Sequence, residues 1–150
     1  MTLIAERVCV ALGRSEVVSG VSLSISPGEL VAVVGPNGSG KSTLLRTLAG
    51  LLRPASGRVT LDGAPVRAIP PRSRAGRLGL LVQTAEPTSL TTVEEHVGLG
   101  RHAKRSMLKR WTSQDGDAVH AAMETCEITH LAERRMEDLS GGERQRARLA

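Results

Sequence analysis

The chain is 150 residues long, within the size of one domain, and its 16 glycines added to its 40% apolar residues make about half of it. Twenty basic against 15 acidic side chains give a net charge of +5, and Trp111 is the only aromatic residue. A core built from this composition is aliphatic, and the lack of Tyr and Phe argues against binding single-stranded nucleic acid on an aromatic platform.

Residues 3–12 alternate loosely, with Val8, Val10 and Leu12 on one side, predicting a strand. Gly13 to Glu16 reads as a turn, after which Val17-Val18 resumes extended structure. Val21, Leu23 and Ile25 alternate with Ser22 and Ser24, a half-buried strand. Pro27-Gly28 turns the chain into Leu30-Val31-Ala32-Val33-Val34, an apolar run of the kind expected of a buried parallel strand. The opening therefore predicts an antiparallel β layer ahead of an α/β core.

The segment that follows, Gly35-Pro36-Asn37-Gly38-Ser39-Gly40-Lys41-Ser42-Thr43, fits G-x-x-x-x-G-K-[ST] at every fixed position. Gly35, Gly38 and Gly40 permit unusual backbone angles and leave main-chain N–H groups open to phosphate oxygens. A helix over Thr43–Ala49, ended by a left-handed Gly50, adds its unpaired N–H groups and the positive end of its dipole. Lys41 is placed to reach β- and γ-phosphates and the Ser42 hydroxyl to complete Mg²⁺ coordination. A dinucleotide-type G-x-G-x-x-G reading fails, because Thr43 stands where its third glycine belongs. The loop is predicted to bind the phosphates of a nucleoside triphosphate.

Pro54-Ala55-Ser56-Gly57 is a turn, and Arg58–Leu61 with Asp62-Gly63 suggests a hairpin. Residues 64–77, rich in Pro and Arg, read as a loop with a short helical piece, and Leu78–Val82 as a second apolar strand stopping at Gln83. Beyond it the character turns helical. Thr92-Val93-Glu94-Glu95 is a capping box, and Val119, Ala122, Met123 and Cys126 follow the spacing of an amphipathic helix. Ser140-Gly141-Gly142-Glu143 is a second capping box, opening a helix through Gln145, Ala147 and Leu149. No Gly or Asn closes that helix before Ala150, which reads as a truncated product.

Arg101, Lys104, Arg105, Lys109 and Arg110 concentrate positive charge, as a solvated helical face, a docking surface for a protein partner or a nucleic-acid patch. Cys9 and Cys126 are far apart and read as inert thiols of a reducing compartment, and the four histidines form no closely spaced ligand set. No apolar run approaches the roughly 20 residues of a membrane-spanning helix, and the N-terminus has no signal-peptide pattern.

Leu139-Ser140-Gly141-Gly142-Glu143-Arg144-Gln145-Arg146 resembles the signature of ATP-binding-cassette (ABC) ATPases. Gly141 lies one hundred residues after Lys41, and Gln83 stands between them at the place of that family's Q-loop. The resemblance implies a P-loop cassette with an antiparallel layer and a helical insert, divided as residues 1–83, 84–140 and 141–150 and ending after the signature. It also implies ATP and Mg²⁺ as cofactors, with Lys41 and Gln83 catalytic and Ser42 and Gln83 at the metal. Ser140, Gly141, Gly142 and Glu143 would serve the nucleotide of a second subunit, so two cassettes sandwich two ATP molecules. Further implied partners are transmembrane permease subunits and a solute-binding protein, at the cytoplasmic face of the cell membrane.

Two departures from the family pattern stand out. Leu12 or Ala11 occupies the place where the family often stacks an aromatic on adenine. The family's Walker B aspartate, catalytic glutamate and switch histidine all follow the signature, and the present sequence holds none of them. The short interval between loop and signature lacks sustained heptads, which favours a transporter motor over a chromosome-type ATPase. A translation-factor cassette and a nucleotide-binding remnant without turnover are the alternatives. Gly100-Arg101-His102, Trp111, Asp115 and Thr129–Arg134 are similar to importers of the iron-siderophore, haem or cobalamin type.

Overall fold

A computed structural model describes residues 1–81, 91–103 and 110–150. Contacts divide the chain into two compact units, Met1–Leu80 and Leu81–Ala150.

The first unit is organised by a four-stranded antiparallel sheet in the order β2-β1-β3-β4, with β1 at Leu3–Leu12, β2 at Ser15–Ile25, β3 at Ser56–Leu61 and β4 at Ala64–Pro65. The stretches 17–18 and 21–25, predicted as separate pieces, belong to one strand that pairs with β1 from Leu3↔Ile25 to Leu12↔Ser15 through several register shifts. Helix α1, Lys41–Leu48, lays Leu44 and Leu48 against Ala5, Val8, Val10, Val18, Val59 and Leu61. Each of those two leucines contributes about 1.5–3 kcal/mol by leaving water. The helix starts two residues earlier than the apolar spacing suggested, because Lys41 and Ser42 are polar and carry no hydrophobic signal. It ends as expected on a left-handed Gly50, at φ 73°. The Asp62-Gly63 turn has positive φ at both residues, 49° and 81°, which matches the right-handed twist of the hairpin it joins. Residues 64–77 hold one 3₁₀ turn, Val66–Ala68, and α2, Pro71–Ala75.

Two predicted strands are not formed among the described residues. Leu30–Val34 pairs with no described residue; Val33 packs on the core, but Leu30 and Val34 are 96% and 87% exposed. A strand exists only through a ladder partner, which apolarity by itself does not supply. Leu78–Leu81 is likewise unpaired, and Val82 lies outside the described residues.

The second unit is helical. Its elements are α3, Val93–Gly98; α4, Ser113–Thr125; α5, Gly141–Leu149; and 3₁₀ turns at Leu99–Ala103, Thr129–Leu131 and Met136–Asp138. Val93, Val97, Val119, Met123, Ile128, Leu131, Met136, Leu139 and Ala147 form its core. The capping boxes predicted at Thr92 and Ser140 are both present, and a third joins Thr112 to Asp115 at the start of α4. Among the described residues no helix is long and apolar enough to cross a membrane.

Candidate functional site

The chain turns over Asn37–Gly40 before entering α1. Gly35, Gly38 and Gly40 have φ values of 156°, 81° and 85°. At Gly40 glycine is required twice over: the backbone is left-handed, and a Cβ would stand 2.5 Å from the Val17 carbonyl oxygen on β2. A Cβ on Gly35 would stand 2.8 Å from Ser39 Oγ, so the loop is wound tightly on itself. The Ser39 N–H donates to the Pro36 carbonyl at 3.3 Å, and the Leu44 N–H to the Gly40 carbonyl at 2.8 Å.

Gly40 is the N-cap of α1 and supplies no side-chain acceptor. The N–H groups of Lys41, Ser42 and Thr43 therefore have no protein acceptor among the described residues. Three free donors at the positive end of a helix dipole suit an anion. Lys41 Nζ stays beside it, donating to the carbonyls of Gly35 at 2.8 Å and Pro36 at 2.7 Å. The Ser42 hydroxyl is exposed and makes no hydrogen bond among the described residues. A free hydroxyl beside these open amides suits Mg²⁺, which takes few protein oxygens and completes its shell from phosphates and water. Asn37 and Ser39 are exposed on the loop, and Thr43 is half-buried. Gln83, expected to be catalytic and at the metal, lies outside the described residues, as do Lys104, Arg105 and Lys109 of the basic run. Leu12, at the place of the family's stacking aromatic, is 51% exposed at the end of β1.

The serine-diglycine corner belongs to the second unit. Ser140 caps α5: its Oγ accepts the Glu143 N–H at 3.4 Å, and the Ser140 N–H donates to the Glu143 carboxylate at 2.8 Å. Hydrogen bonding from Ser140, side chain first and backbone second, holds the Glu143 carboxyl below its ordinary pKa. Gly141 and Gly142 are exposed, and nothing stands within 4 Å of a Cβ built on either. The amides of these two residues are thus accessible at the start of a nine-residue helix.

Two residues named in the sequence have structural roles that the sequence did not reveal. The Arg144 guanidinium donates to the carbonyls of Met136, Glu137 and Leu139 at 3.1, 3.1 and 2.8 Å, tying the turn before the corner to α5. Arg101, read as part of a solvated or docking face, instead pairs at 3.0 Å with Asp115, which is 5% exposed. Its partner lies 14 residues away, beyond any local spacing rule.

A family model described as ABC transporter matches residues 18–150, phosphate loop and serine-diglycine corner together. The chain belongs to the ABC transporter family. It is 42% identical over 145 residues to the ferric enterobactin transport ATP-binding protein FepC of Escherichia coli, covering 97% of this chain and 54% of FepC. It is 46% identical over 138 residues to the hemin import ATP-binding protein HmuV of Pseudomonas entomophila, covering 92% of this chain and 52% of HmuV. This ABC chain therefore spans about half the length of the curated relatives it matches. Among solved structures, a dimeric bacterial ABC transporter cassette superposes with a TM-score of 0.84 at 25% identity, covering 98% of this chain and 67% of that one. The cbiO1 subunit of a Clostridium perfringens ABC transporter complex follows at 0.81 and 26%, covering 97% of this chain and 58% of its own. The fold is accordingly that of the P-loop ABC cassette.

Proposed function

We propose that this chain binds the triphosphate of ATP on the loop Gly35–Thr43 and serves in the motor subunit of an ABC importer. The observation that carries the reading is the unsatisfied start of α1, where three N–H groups, the Lys41 ammonium and a free Ser42 hydroxyl sit within one turn. The loop amides and Lys41 neutralise charge on the β- and γ-phosphates and fix the tail in place. Ser42 and Gln83 would hold Mg²⁺, which would supply further charge neutralisation on the transferring group. Gln83 orients the attacking water and carries the nucleotide state to the permease. Ser140 to Glu143 presents its helix start to the γ-phosphate of a second cassette, which makes the working unit a head-to-tail dimer.

Supporting the transport role are the names of the relatives, a ferric enterobactin transporter and hemin importers. On that reading the cargo class is iron-siderophore or haem, with cobalamin a third member. The partners are permease subunits and a solute-binding protein, and the location is the cytoplasmic face of the membrane. Nucleic acid has no part in it. The helical unit Leu81–Ala150 is then the arm that meets the permease, with residues 84–140 as its insert.

Equilibrium titration with Mg²⁺-ATP tests the first step. Binding by the wild-type chain and a loss of at least about tenfold in affinity on Lys41→Ala are expected, the worth of one charge-assisted contact. Equal affinity of the two proteins would refute the assignment of the loop.

A further inference from the structure

Away from the phosphate loop, the first unit contains a cavity of about 520 Å³. It lies between the C-terminal turn of α1, the turn leading into β3, and the Pro65–Ala68 stretch. Its apolar lining includes the buried Val59 and Val66, and its polar lining includes Thr47, Ser56 and three arginines: Arg53, Arg58 and Arg67. No carboxylate lines it. Arg58 is neutralised by an ion pair with Glu6, whereas Arg53 and Arg67 have neither ion pair nor hydrogen bond among the described residues. The Thr47 hydroxyl already donates to the Thr43 carbonyl at 2.8 Å, which leaves its oxygen as an acceptor only.

Arg53 and Arg67, without counter-ions among the described residues, line a concavity with no acidic residue, and the forked donors of a guanidinium suit a phosphoryl oxyanion. The size lies inside the usual range of small-molecule sites and accommodates a diphosphate with room beside it. The surrounding field is favourable as well, since residues 1–80 carry ten basic and four acidic side chains.

We propose that this cavity is a second anion site, distinct from the phosphate loop, which takes a soluble phosphoryl dianion between Arg53 and Arg67. It stands whether or not the loop binds ATP.

The test uses inorganic pyrophosphate as probe and the Lys41→Ala chain as host, so that the phosphate loop contributes less. Calorimetric titration should show a site outside the loop, weakened about tenfold or more by adding Arg53→Gln and Arg67→Gln, as expected for losing two charge-assisted contacts. The Arg53→Lys/Arg67→Lys pair should recover part of that loss. The Gln pair in the otherwise wild-type chain should bind Mg²⁺-ATP as before, which separates this site from the loop. In parallel, hydrogen exchange on the same proteins should show pyrophosphate protecting amides in 55–58 and 66–68, a readout that does not depend on the titration heats. No pyrophosphate binding to the Lys41→Ala chain, or binding indifferent to Arg53 and Arg67, overturns the proposal. Binding of anionic phosphatidylglycerol vesicles that depends on these arginines, without pyrophosphate binding, also overturns it in favour of a membrane contact.

Discussion

Gly40 shows how much a single position carries. Its left-handed φ of 85° strains any other residue by about 1 kcal/mol or more, and the Val17 carbonyl leaves no room for a methyl group. Gly40→Ala should lower the melting temperature and abolish measurable ATP binding together; unchanged affinity would show that the loop tolerates repositioning. Asp115 carries a different kind of burden. Hydrogen bonds from Thr112, side chain before backbone, together with the Arg101 guanidinium, hold its carboxyl below the ordinary range. Because the folded pKa is the lower one, this stabilisation is complete above the unfolded value near 3.9 and is lost as pH falls through the folded value. Asp115→Asn should therefore lower the melting temperature at pH 7, and the gap to wild type should close below about pH 4. A gap independent of pH would mean that the carboxylate charge contributes nothing.

At the scale of elements, what could be read from the chain follows the reach of each signal. The boxes at Thr92 and Ser140 were legible because a cap and its partner lie three residues apart and announce themselves locally. The box at Thr112 escaped because Asp115 stands where glutamate is the usual partner. The winding of the loop before α1 was legible, since its left-handed glycines and Lys41 are adjacent in sequence. Leu30–Val34 misled because apolarity says that a segment wants burial, without saying what pairs with it. Arg144 was invisible for a related reason: its three acceptors are backbone carbonyls, which carry no residue identity. Replacing it by methionine keeps much of the stem and removes all three bonds. Arg144→Met should cost about 1–3 kcal/mol in denaturant unfolding of the helical unit. A change below about 0.5 kcal/mol would show that the corner holds its shape without the tether.

For the whole molecule, the exposed Leu30 and Val34 set the behaviour in solution. Purified on its own, the polypeptide of residues 1–150 should self-associate through these bare apolar residues, seen as early, broadened elution and a shallow thermal transition. A sharp melt from a monomer would show that the bare residues are harmless.

With two of its three ammonium hydrogens resting on the carbonyls of Gly35 and Pro36, Lys41 is held against the loop and keeps one hydrogen to offer. An arriving phosphate meets a positive charge that has already surrendered its freedom, so little ordering is left for the encounter itself. Arginine in the same seat would bring a wider, flat head where a compact one fits between neighbouring carbonyls. Retaining the charge would then fail to retain the grip.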